Sequence, residues 1–506
     1  MRRLFVFMLF FLAIPQKAHA EWLESASTHF VIYGNSSEAN LRKLSDQLER
    51  YHAGMAFMMG ADTAVPSPSG RVTVFIVGSM DEVRKLHRGK ERNIAGFYVP
   101  RAGASLAVIP SVRSDNGGNG GMDFPMIVLL HEYAHHFLIS SGTFPMPRWM
   151  SEGAAEFFAS ASFGKDGSLA LGRPAMHRGY ELFEGIDVTT TDLLDPDHYE
   201  KRRGKNTEHD AFYGKSWLLY HYLVFNGARS GQLKAYTNAL VEGKGAVEAG
   251  RSAFGDFAVL EKELDAYLRQ RKMSAVSIRA ATLKSGPVTI RQLTSGEKEV
   301  LPLRIRSTMG VDSETAPGIL ADARAVATRF PSDPAVLAEL AEAEHDAGND
   351  DESIAAADAA IKINPGEVNA YIQKGYSLLR KAEKSGEAAQ FDVARNAFLA
   401  LNAIENDHPI PLIYFYRSFV QQMRKPTKNA VNALERASQI SPFDLDLRMM
   451  LAMQQLRDGR REDARTNLVP VAYNPHGGKG AEIARAVMTR MDADKDWNGS
   501  GMVMPE

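Results

Sequence analysis

Two histidines four residues apart, His131 and His135, bracket a carboxylate, Glu132, inside an apolar run from Ile127 to Ile139. A helix turns about 100° per residue, so the two imidazoles lie within about 40° of each other, one turn apart. That arrangement can fill two positions of a tetrahedral zinc, and Glu152 downstream can supply a third ligand. Glu132 sits beside the pair and can reach a metal-bound water rather than the metal itself. A surface helix with two solvated histidines would show the same five-residue pattern. The flanks Ile127-Val128-Leu129-Leu130 and Phe137-Leu138-Ile139 argue against it. Burying two histidines and a glutamate is costly unless they are paired or bound to a metal.

The segment around Glu152, Trp149-Met150-Ser151-Glu152-Gly153-Ala154-Ala155-Glu156-Phe157-Phe158, also reads as a helix. Glu152 and Glu156 stand four apart and share a face. Glu152 can bind the metal, while Glu156 can accept the other ring N–H of a ligand histidine and fix its tautomer. Gly153 costs about 1 kcal/mol in a helix interior, but it lets the two metal-bearing helices approach closely.

Taken together, HEYAH at 131–135 and WMSEGAAEF at 149–157 resemble the gluzincin zinc metallopeptidases. The resemblance implies a thermolysin-like, α+β core: a small sheet, the helix of His131 and His135, and a second helix bearing the glutamate. It implies one Zn2+ per chain on His131, His135 and Glu152, with Glu132 as general base in peptide-bond hydrolysis. Related peptidases place a Tyr or His opposite the zinc to stabilise the oxyanion, and Tyr213 and His209 are the candidates here. Core packing is the commoner fate of such a tyrosine. The aminopeptidase branch carries a G-x-M-E-N stretch. This chain has Gly120-Gly121-Met122-Asp123-Phe124, with Asp for Glu and Phe for Asn, too close to His131 for that layout. Aminopeptidase specificity is therefore not implied.

At 506 residues, two or three domains are expected. Hydrophobic content of 44% and charged content of 24% are those of a soluble globular protein. A net charge of −2, from 59 Lys and Arg against 61 Asp and Glu, suggests no nucleic-acid or membrane-surface partner. Arg2 and Arg3, the apolar stretch Leu4 to Ile14, and Ala18-His19-Ala20 read as a cleaved signal peptide over 1–20, leaving a mature chain from Glu21. That apolar stretch is too short to span a bilayer. No other stretch is long enough, so no transmembrane segment is expected after cleavage. The chain has no cysteine, so a metal site must use His and carboxylate ligands. These features predict a bacterial periplasmic or secreted protein.

A metallopeptidase-like domain is expected over 21–272. It has strands at His29–Gly34 and Arg71–Val77, a helix capped by Ser37 running to Met59, and a short helix from Met80 to Leu86. Residues 93–99 and 105–110 flank the turn Pro100–Gly103 and read as a hairpin, either strand of which could pair with an extended substrate, as in gluzincins. The Gly-rich stretch Asp115–Gly121 reads as a mobile connector or a lid. Residues 212–223 and 230–272 read as helical. Residues 273–295, with strand-like pieces at Val276–Ile278 and Val288–Ile290, read as a linker, and 496–506 as a tail.

Residues 296–495 change character. Pro331, Pro365, Pro409, Pro442 and Pro475 read as helix-ending and are spaced by 34, 44, 33 and 33 residues, and the longest interval holds the polar insert Lys381–Glu387. Small residues, among them Ala355, Ala356, Ala360, Ala394, Ala430, Ala437, Ala452 and Ala464, recur where paired helices would meet. This resembles tetratricopeptide repeats (TPR), an all-α solenoid whose concave face commonly holds a protein partner. About 296 to 330 reads as a divergent first pair. The expected function is a zinc peptidase of the cell envelope acting on a protein or peptide substrate, with the repeats recruiting substrate or partner. The alternatives are a catalytically silent peptidase-fold scaffold that binds through its repeats, and a zinc hydrolase acting on a non-peptide amide.

Overall fold

The computed structural model describes residues 22–61, 64–87, 96–111, 122–142, 144–203, 210–474 and 477–501. The expected signal peptide, the Gly-rich stretch 115–121, His209 and the end of the tail lie outside the described residues. The first strand, β1 (Trp22–Ala26), has no counterpart among the sequence expectations; β2 (Phe30–Asn35) and α1 (Glu38–Met59) follow it. The Ser37 side chain accepts from the Asn40 N–H and so caps α1. Leu41, Leu44, Leu48, Tyr51 and Met55 form its buried stripe.

Next come β3 (Val72–Val77), α2 (Met80–His87), β4 (Phe97–Val99) and β5 (Leu106–Pro110). Helices α3 (Phe124–Ser141) and α4 (Arg148–Ala159) carry the motifs. They are followed by β6 (Ser162–Phe163), β7 (Leu169–Leu171), α5 (Gly179–Glu184), α6 (Thr190–Leu194), α7 (Pro196–Arg203) and α8 (Phe212–Phe225). The region closes with α9 (Gln232–Val241), α10 (Ala246–Phe254), α11 (Phe257–Leu268), β8 (Val276–Ile278) and β9 (Thr289–Gln292). A six-stranded mixed sheet runs β4-β5-β3-β2-β1-β9, with β5, β3 and β2 parallel. A smaller sheet runs β6-β7-β8. One large apolar core joins the main sheet to α1, α3, α4, α8 and α11.

The linker expected at 273–295 is corrected. Strand β8 pairs with β7, and β9 pairs antiparallel with β1, so this segment completes both sheets of the N-terminal region. Pieces of three and four residues do not reveal distant pairing partners in sequence, because a short strand has almost no periodicity to read.

The rest is an array of paired helices. The first pair is α12 (Ser295–Thr308) and α13 (Ala316–Arg329), followed by α14 (Pro334–Asp346) with α15 (Asp350–Ile363). Then come α16 (Val368–Ser385) with α17 (Ala388–Ile404), α18 (Pro409–Gln421) with α19 (Lys428–Ile440), and α20 (Leu445–Arg457) with α21 (Arg461–Ala472). Helix α22 (Lys479–Ala493) packs on the end. Ala356, Ala360, Ala394, Ala430, Ala437, Ala452 and Ala464 are buried between helices, whereas Ala355 is exposed. The polar insert expected at 381–387 is mostly helix. Helix α16 continues to Ser385 and ends where Gly386 adopts φ 71°. Pro409 opens α18 rather than ending a helix.

The N-terminal region sits on the first helices of these pairs. The β4–β5 turn enters the array: the Ala102 N–H donates to Asp444 Oδ2 at 2.9 Å, and Ala102 is buried among Ile413, Tyr416 and Leu447. Gly103 at this tip has φ 75°, and a Cβ there would lie 3.0 Å from the His408 ring. Arg101 donates to the Thr308 carbonyl, and Ser69 donates to Glu405 through both its N–H and its hydroxyl. His136 of α3 packs its ring 4.5 Å from that of Phe443. The N-terminal region thus contacts the array at the start of α20, at the end of α12 and at the loops after α17 and α19.

Candidate metal centre

Helix α3 presents His131 and His135 on one face, and α4 crosses it with Glu152. The three ligand-type atoms form a near-equilateral triangle. His131 Nε2 and His135 Nε2 are 3.1 Å apart, and Glu152 Oε2 lies 3.3 Å from each. Ligands bound at about 2.0–2.1 Å with tetrahedral angles are separated by about 3.3–3.4 Å, so the triangle fits one face of a zinc tetrahedron. Among the described residues this is the one His/Asp/Glu group close enough to share an ion.

Glu152 gives the second test of fit. It is 1% exposed, and neither of its carboxylate oxygens has a hydrogen-bond partner. A buried ionised carboxylate needs a positive charge facing it, which His131 and His135 at 3.3 Å, or a bound cation, can supply. Burial alone would raise the Glu152 carboxyl, yet His135 and His131 hold it far below the usual range. Burial would lower His131 in turn, but the carboxylates of Glu152 and Glu156 outweigh it and hold the imidazole at about 10. Both shifts come from the mutual pairing of these histidines and carboxylates.

A further set of contacts orients the ligands. His131 Nδ1 lies 3.1 Å from Glu156 Oε1, and the Ser151 hydroxyl lies 3.2 Å from His135 Nδ1. Both histidines can thus hold their proton on Nδ1 and turn a bare Nε2 toward the shared point. Glu156, 1% exposed, also takes His177 Nε2 at 2.6 Å and Arg178 Nη2 at 2.6 Å. His177 and Arg178 come from the polar segment after α4 and carry no helical spacing to either motif. Sequence reasoning therefore passes over them and over Ser151, whose only signal is its place beside Glu152.

Gly153 is required by a different neighbour from the one expected. A Cβ there would lie 2.4 Å from the Ser216 carbonyl oxygen, so it is α8 that approaches α4 closely, not α3. This approach brings Tyr213, in the first turn of α8, to the site, with its ring 6.3 Å from that of His131. Burial first, then the Glu152 carboxylate, push the Tyr213 hydroxyl up to about 12, so it remains a proton donor at neutral pH. Glu132 is half-buried on α3, next to His131.

Strand β4 lies at one edge of the main sheet, whereas β5 is paired on both sides. Of the two hairpin strands, only β4 can offer an edge to an extended chain. Tyr98 on β4 reaches His136 of α3, with its hydroxyl 2.5 Å from Nδ1.

No family model matches the chain. No curated protein matches it either. Among solved structures, a thermophilic TPR protein from Thermus thermophilus is similar at 12% identity, over 38% of this chain and 100% of that one, with a TM-score of 0.33. MamA from Desulfovibrio magneticus RS-1, residue 41 to the end, is similar at 16% identity over 38% and 96%, with a TM-score of 0.27. Likeness at this level carries no argument about the function of either part of the chain.

Proposed function

We propose that the chain is a zinc-dependent peptidase whose N-terminal region has a gluzincin-like core. The observation that supports this most is the triangle of His131 Nε2, His135 Nε2 and the orphaned Glu152 Oε2. Zinc held by His131, His135 and Glu152 would supply a Lewis acid and lower the pKa of a bound water toward about 7.

The chain's own groups supply the rest. Glu132 takes a proton from the attacking water and delivers it to the leaving amine. Tyr213 donates its hydroxyl hydrogen to the carbonyl oxygen as charge develops there. Glu156 and Ser151 hold the Nδ1 protons of His131 and His135. The β4 edge aligns an extended substrate through backbone hydrogen bonds. The N-terminal signal pattern supports action in the cell envelope or outside the cell.

The test is metal content followed by cleavage of an unfolded protein. The purified chain should carry about one zinc, and His135→Ala should lose it. Glu132→Gln should keep the zinc and lose about 10²–10⁴-fold in cleavage rate. A Glu132→Gln protein that cleaves as fast as the parent would refute the assignment.

The helical array supports a second reading, a scaffold that binds a protein partner through its repeats. A folded chain that stays metal-free when zinc is supplied would favour it.

A further inference from the structure

The segment after β7 has two unlike faces. A 3₁₀ turn at Met176–Arg178 runs into α5. Inward, His177 and Arg178 bind Glu156, Arg178 also pairs with Glu181 at 2.7 Å, and Leu182 packs where a Gly214 Cβ would be 2.8 Å away. Outward, Met176, Tyr180 and Phe183 are 81%, 71% and 65% exposed. Tyr180 and Phe183, three apart on α5, share a face; Met176 precedes them in the 3₁₀ turn, and exposed Ile186 follows the helix. Three large apolar side chains held in water on a pinned segment do nothing for folding and mark a contact surface.

One residue of this surface, Tyr180, approaches the candidate metal centre through a shared cavity. Tyr180 lines a cavity of about 350 Å³ whose other walls include Tyr213, Phe212 and Arg148. Tyr213 in turn stands against His131. A polypeptide leaving the site past Tyr213 would meet Tyr180 across this cavity. Charge selects against a lipid surface. The acidic Glu181, Glu184 and Asp187 outnumber Arg178 on this segment, whereas an anionic membrane calls for a basic cluster.

We propose that Met176, Tyr180 and Phe183 form the docking stripe for an apolar stretch of the polypeptide substrate, next to the bond to be cut. The inference rests on the peptidase reading, and the cavity beside Tyr180 takes one side chain of that stretch.

The experiment uses the full chain with Glu132→Gln, loaded with zinc, and two labelled unstructured peptides of equal length. One is rich in Leu and Phe, and the other has Ser and Gln in their place. Fluorescence anisotropy should show the apolar peptide binding at least about tenfold more tightly. Met176→Ser, Tyr180→Ser and Phe183→Ser together should abolish that preference while zinc content and the unfolding temperature stay unchanged. Phe183→Ser alone should reduce it in part and guards against misfolding of the triple variant. Equal binding of both peptides, or a preference that survives the triple variant, overturns the proposal. So does stripe-dependent sedimentation with phosphatidylethanolamine–phosphatidylglycerol vesicles in place of peptide binding. A chain that binds no zinc refutes the peptidase reading itself, whatever the peptides do.

Discussion

Glu156 serves His131, His177 and Arg178 at once, and it does so from 1% exposure. Burial opposes its ionised form, but His131, His177 and Arg178 hold the carboxyl well below its usual range. Removing its charge should loosen His131 without touching a ligand atom. Glu156→Gln should weaken zinc binding by about 10–100-fold, read by competition with a chromophoric chelator. An unchanged affinity would mean that the 3.1 Å approach to His131 does not tune the ligand. That His131 and His135 share one face, and Glu152 and Glu156 another, was readable from sequence, because helical period alone brings positions four apart together. His177 and Arg178 were not readable, because tertiary packing of α5 against α8 delivers them to Glu156.

At the scale of elements, two substitutions test why the helices lie where they do. Gly153→Ala places a methyl group against the Ser216 carbonyl, where the nearest atoms are backbone and no flexible side chain can yield. Overpacking of this kind should cost about 1–3 kcal/mol and lower the zinc content, seen by thermal unfolding and metal analysis together.

His408 caps α18 through Nδ1, which accepts the Ile410 N–H at 3.2 Å and so must be unprotonated. Burial lowers this imidazole to about 4, with Glu405 opposing. Its folded value is thus depressed below the ordinary value of about 6.5. The unfolded chain takes up the proton first, so its stabilising contribution is complete above about pH 6.5 and is lost as pH falls toward 4. The unfolding temperature should decline over that window. His408→Asn, which keeps a capping oxygen, should remove a slope of up to about 1.4 kcal/mol per pH unit. An identical pH profile would contradict this. The start of α1 was legible in the Ser37 cap. The 273–295 segment misled because two short strands look like a linker until their partners are known.

Across the whole molecule, the array and the N-terminal region are joined by polar contacts at a few points. Asp444 joins the two: Oδ1 caps α20 at Leu447, and Oδ2 accepts the Ala102 N–H at the hairpin tip. Asp444→Ala should destabilise the protein by about 1–2 kcal/mol. It should also separate the unfolding of the two parts, so that near-ultraviolet and far-ultraviolet circular dichroism no longer melt together. Coincident melting in the variant would show that the tip is held by packing alone. The period of the repeats was visible in the prolines and small residues. Their docking on β4–β5 was not, since the contacts come from turns and helix starts without a shared pattern.

The pairing of β1 with β9 has a consequence for the order of events during synthesis. Arg291 on β9 holds Glu24 on β1, and 267 residues separate them. The edge of the main sheet therefore stays open until nearly three hundred residues have left the ribosome. The helices of His131, His135 and Glu152 can meet well before that. Contacts of such long range make for slow folding, and until β9 arrives the β1 edge stays open.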